Sequence, residues 1–107
     1  MGYTFDINTL RELRQRGGDL LRERREYLGL TQRELAARVG LEPYTIVAQL
    51  ERGIGRIEPQ HYASWSKALE LPLFQFVGRV LEHTDPVAHR LFVVSGAGHW
   101  PSLGTMS

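Results

Sequence analysis

The stretch GLTQRELAARVGLEPYTIVAQLERG, Gly29 to Gly53, constrains the fold more than any other part of the chain. Thr31 followed three residues later by Glu34 spells a capping box: the threonine hydroxyl accepts from the Glu34 amide while the Glu34 carboxylate reaches back. A helix therefore starts sharply after Thr31. Leu35, Ala36 and Val39 fall on its inner face, and Gly40 ends it, because glycine adopts positive φ without steric cost. A turn through Leu41, Glu42 and Pro43 follows, with Pro43 suited to the first turn of a second helix that runs to about Arg52. That helix turns Ile46 or Val47, together with Leu50, toward the interior and leaves Tyr44, Thr45, Ala48, Gln49 and Arg52 outside. Gly53 and Gly55 close it. Two short rods crossing near a right angle need a small residue at the contact and a glycine at the bend, and Ala36 and Gly40 stand at those places.

The flanking sequence reads as further helices. Ile7, Leu10, Leu13 and Leu21 mark apolar stripes, and Gly17-Gly18 is predicted to break a first short element from a second spanning about Asp19 to Leu28, capped by Asp19 and stopped by Gly29. Pro59 opens another helix, with Tyr62, Trp65, Ala68 and Leu69 three and four apart. Leu71-Pro72 interrupts. Leu73, Phe76, Val77, Val80 and Leu81 then form the clearest apolar stripe in the chain, a core helix. Asp85 and Pro86 suit the cap and first turn of a short element reaching Val94, within which Leu91 to Val94 is the one candidate strand. The closing SGAGHWPSLGTMS is expected to be a mobile tail unless a partner orders it.

Composition narrows the function classes. A chain of 107 residues with 42% apolar and 23% charged residues suits one folded domain, too small to hold a catalytic and a regulatory domain together. No cysteine is present, so disulfides and thiolate metal sites are excluded, and a cytoplasmic location is expected. The start lacks a signal-like apolar run, no stretch of about 18 apolar residues suggests a membrane span, and Asp6 breaks the myristoylation pattern that Met1-Gly2 would begin. Net charge is only +1, but arginine gathers in the first half, from Arg11 to Arg56. Such a face suits either phosphate contact or a solvated helix surface in which Glu12, Glu23, Glu26 and Glu34 pair with the arginines. His83, Asp85 and His89, two and four residues apart around a proline turn, match no metal site and read as surface residues; His61 and His99 stand apart. With no phosphate-binding glycine loop, nucleophile elbow or paired carboxylates, no catalytic residue, metal or cofactor is expected.

The opening LGLTQRELAARVGL, the exit QLERG and the run Pro59, Trp65, Leu69, Leu71 together resemble the Cro/C1-type, or XRE, family of helix-turn-helix repressors, over about Asp19 to Glu82. The resemblance implies that Gln32, beside Thr31 and Arg33 at the helix start, holds a DNA phosphate with help from the helix dipole. It further implies that the second helix reads base edges, with Gln49 at a base-contacting position where an amide can pair with adenine N6 and N7. Tyr44, Thr45 and Ala48 would lie against the groove, and Arg52 and Arg56 would reach the backbone. Between Gly40 and Gly53 the chain is one residue longer than the commonest family spacing, leaving the start of the reading helix open by one position. Alignment from QLERG is unbroken, which singles out Gln49 over Tyr44 or Thr45. Glu42 would repel phosphates unless it turns away or opposes an arginine. The family also implies a partly buried ion pair between Arg25 and Glu51.

The expected architecture is all-α, a five- to six-helix lambda-repressor-like DNA-binding domain with a short C-terminal extension. Its parts are an N-terminal arm with a short helix (1–18), the helix-turn-helix domain (19–83) and an extension and tail (84–107) that is a candidate dimerisation element. The expected function is sequence-specific binding of a double-stranded DNA operator as a homodimeric cytoplasmic repressor, nucleoid-associated when bound. The alternative is a protein-interaction module, an antitoxin or adaptor, and the C-terminal segment is the place where a protein partner would bind.

Overall fold

The computed structural model describes residues 7–85, 87 and 89–91, and every regular element among them is helical. In chain order these are α1 (Ile7–Tyr27), α2 (Gln32–Val39), α3 (Thr45–Glu51), a 3-10 turn (Pro59–His61), α4 (Tyr62–Ala68) and α5 (Leu73–Thr84). Val87 and residues 89–91 are helical as well, and the His89 amide donates to the Asp85 carbonyl at 2.9 Å. Leu91 is therefore helix rather than the start of a strand; the rest of that candidate strand and the expected tail lie outside the described residues. No described helix is long and apolar enough to cross a membrane.

Gly17-Gly18 does not break the chain. One helix of 21 residues, about 30 Å long, runs straight through it, so the expected boundary after residue 18 falls mid-helix. The reason is tertiary. A Cβ at Gly18 would lie 2.5 Å from the carbonyl oxygens of both Leu50 and Glu51, and one at Gly17 would lie 2.9 Å from the His83 Cβ. The two glycines let α3 and α5 approach the α1 backbone, and that packing offsets the roughly 1 kcal/mol that each glycine costs a helix. Asp19 is accordingly no cap: its carboxylate accepts from Arg22 at 3.1 Å and from Gln15 at 3.0 Å.

The ends of α1 and α2 follow local chemistry. Beyond Tyr27 the Leu30 amide donates to the Arg25 carbonyl at 3.0 Å, with Gly29 at φ +72° making the bend. Both halves of the capping box form: the Glu34 amide donates to the Thr31 hydroxyl at 3.0 Å, and the Thr31 amide donates to the Glu34 carboxylate at 2.8 Å. Gly40, at φ +88°, closes α2. Pro43, expected inside the next helix, precedes it. It follows a cis peptide, its carbonyl accepts from the Ile46 amide at 3.2 Å, and α3 begins at Thr45.

α1 packs on α3 and α5, α2 on α3 and α4, and α4 on α5. The core they share centres on Leu35, Val47, Trp65 and Leu69, all fully buried, with Ala36 at 2% exposure where α2 meets its neighbours. Phe76 and Val80 carry the α5 stripe inward, and Phe76 meets Tyr62 edge to face at 6.2 Å. Leu73, assigned to that stripe by spacing, is instead about half exposed. At the end of α4, Arg24 donates to the carbonyls of Leu69 (2.8 Å) and Glu70 (3.0 Å), and Arg38 to that of Ala68 (3.2 Å). Two cations thereby satisfy carbonyls that the helix leaves open.

Candidate nucleic-acid interface

α3 is a short helix with two different faces. Val47 and Leu50 are buried against the core and Ile46 is half-buried beside them, so both residues left open by the spacing point inward. Thr45, Gln49 and Arg52 are exposed and Ala48 half-buried, which makes one outward stripe at helical spacing. Tyr44 lies before the helix and packs partly against the core. Its ring carries the Arg33 guanidinium at 4.4 Å, so a side chain of α2 and one of the turn form a stacked pair at the seam between the two helices.

Glu51 fixes how α3 is rotated. Its carboxylate, on a side chain only 4% exposed, accepts from Arg25 Nε at 2.6 Å, Arg25 Nη2 at 3.0 Å and Gln32 Nε2 at 3.0 Å. Arg25 Nη1 donates to the Leu30 carbonyl at 2.9 Å. The hydrogen bond to Glu51, aided by the charges of Glu51 and Glu26, holds the Arg25 guanidinium above its ordinary pKa despite burial. Gln15 adds a bond from α1 to the Glu51 carbonyl at 3.3 Å. With Gly18 against the carbonyls of Leu50 and Glu51, α1 grips the last turn of α3 at several atoms.

Gln32, singled out by family likeness for phosphate, thus has its amide nitrogen committed to Glu51, while its backbone stands at the exposed start of α2 beside Thr31 and Arg33. The Thr31 hydroxyl is used by the cap. Arg52 and Arg56 are exposed, Arg56 near enough to Tyr62 to oppose the upward shift that burial gives the Tyr62 hydroxyl. Glu42 is exposed and makes no ion pair among the described residues. The arginine-rich first half divides: Arg22, Arg25 and Arg38 pair with Asp19, Glu51 and Glu70, and Arg24 caps α4. Arg11, Arg14 and Arg16 on α1, Arg33 on α2, Arg52 after α3 and Arg56 in the loop beyond have no ion pair among the described residues. His83, read as a surface residue, is instead buried, its Nδ1 2.8 Å from the Arg79 carbonyl, because α5 presses it against Gly17. Among the described residues no three histidines or acids gather as a metal site would require.

Two short helices joined at a positive-φ glycine, the second held by its inner face and open on its outer one, define a helix-turn-helix unit. The sequence profile of the helix-turn-helix family matches residues 21–76, and the chain belongs to that family, in its Cro/C1-type branch. A relative from Rhodospirillum rubrum, described as an uncharacterized transcriptional regulator in ATPase CF(0) region, is 32% identical over 99 residues, covering 92% of this chain and 89% of its own.

Proposed function

We propose that the protein is a sequence-specific regulator of transcription that binds double-stranded DNA through α3 in the major groove and represses by occluding its operator. The observation that carries this reading is the outward stripe Thr45, Ala48, Gln49, Arg52 on a helix whose opposite face is clamped by Val47, Leu50 and the Arg25–Glu51 pair. A rigid rod with exposed polar groups is what base readout needs, since each bidentate contact discriminates by about 1–3 kcal/mol only when it is held in register. Gln49 reads a base edge, and Thr45 and Ala48 meet the groove wall or a thymine methyl. The α2 start, with Thr31, Gln32 and Arg33, and the exit arginines Arg52 and Arg56 hold phosphates. Arg33, stacked on Tyr44, presents its charge from a fixed platform. Family membership supports DNA as the partner, and the Rhodospirillum relative supports a role in transcription.

The test is binding to an operator selected from random duplexes. Gln49→Ala is expected to weaken operator binding by about 1–3 kcal/mol and leave random duplex unchanged. Gln32→Ala should weaken both alike. A protein-interaction module would show neither effect, nor a steep fall of affinity with added salt.

A further inference from the structure

Between α1 and α5 lies a cavity of about 230 Å³ that reading DNA does not use. Its inner wall is mostly apolar, built from Leu21, Ile57, Phe76 and Val80 among others, and Gly17 and Gly18 of α1 line it where α3 and α5 pack against them. Four arginines also line it, Arg14, Arg24, Arg56 and Arg79, and no aspartate or glutamate among the described residues does. In a chain whose charges nearly cancel, that is a local excess of one sign. Arg14, Arg56 and Arg79 are exposed as well as lining, which puts them at the mouth. Arg24 is held by two carbonyls and Arg79 is 3.3 Å from Glu82. Arg14 and Arg56 have no ion-pair partner among the described residues.

We infer that this cavity binds a small amphiphilic carboxylate, its alkyl body inside and its head group at Arg14 and Arg56. The size fits: an apolar hole of about 150 Å³ already takes benzene, whereas sites for drug-sized ligands run from about 300 to 1,000 Å³. A mostly apolar wall gives water few partners and favours a hydrocarbon guest. Two guanidinium groups without carboxylates then select an anionic head over a neutral one, through charge-assisted hydrogen bonds. The inference shares Arg56 with the phosphate contacts proposed above and uses none of the outward-facing residues of α3.

The full chain titrated with octanoate, octanol and butyrate, followed by the amide resonances of Gly17, Gly18 and Gly55, tests it. Octanoate is expected to shift these three saturably and to bind about tenfold tighter than octanol or butyrate. Arg14→Gln and Arg56→Gln, both at exposed positions, should each weaken octanoate about three- to tenfold and leave octanol unchanged. Equal affinity for octanoate and octanol, retention of full octanoate affinity in both variants, or unsaturable shifts spread over the whole surface would overturn it.

Discussion

Glu51 shows at the scale of one residue why a buried charge matters more as a constraint than as a source of stability. Its two oxygens receive three donors from two other helices, so the carboxylate cannot rotate without losing several partners. Arg25→Ala or Glu51→Ala should each cost about 3–5 kcal/mol in denaturant unfolding, since the survivor stays desolvated. Arg25→Met with Glu51→Leu should sit closer to wild type than either single change. Glu34 gives a second, pH-dependent case. The Thr31 backbone bond, then the Thr31 hydroxyl, holds its carboxyl below the ordinary value near 4.5. A depressed carboxyl stabilises the fold fully above that ordinary value and loses its effect as pH falls through the lower, folded one. The stability gap between wild type and Glu34→Ala should therefore be constant from neutral pH down to about 4.5 and close below it, as acid titrations followed by circular dichroism would show. The Thr31–Glu34 box was legible in the sequence because both partners lie within four residues. The commitment of Gln32 to Glu51 spans nineteen, and nothing near either residue announces it.

Among elements, α1 shows where local rules fail. A glycine pair is a sound signal for a break when only the helix itself is considered, because each residue adds backbone entropy and removes a side chain. Here the missing Cβ atoms serve neighbours that are distant in sequence. Gly18→Ala, which by propensity alone would stabilise α1 by about 1 kcal/mol, should instead destabilise the protein by about 2 kcal/mol or more, because the new Cβ meets two backbone oxygens. Thermal unfolding of the variant checks the sign, and a raised Tm would contradict the close contact. The order of helices from α2 to α5, the α2 boundaries and the buried face of α3 could be read from periodicity and caps. The cavity could not, since it is a gap between α1 and α5, residues from Arg14 to His83 apart, and no pattern in either helix encodes an absence.

For the whole molecule, the proposed function gives one copy one helix for the groove, whereas a symmetric operator presents two half-sites about 34 Å apart. Two copies would fill both half-sites, and the exposed Leu91, at 61% in the helical residues after Asp85, offers an apolar contact for such a pair. A chain ended after Asp85 is expected to scatter light as a monomer at micromolar concentration where the full chain scatters as a dimer; an unchanged mass would remove that segment from the interface.

The grip of α1 on Glu51 also bears on engineering. Cutting out the twenty-five residues from Gly29 to Gly53 and grafting them onto another scaffold would carry Gln32 along but leave behind Arg25, Gln15 and the notch at Gly18. The transplanted rod would keep its letters and lose its heading, so any portable reader made from this protein has to begin well upstream, at about Arg14.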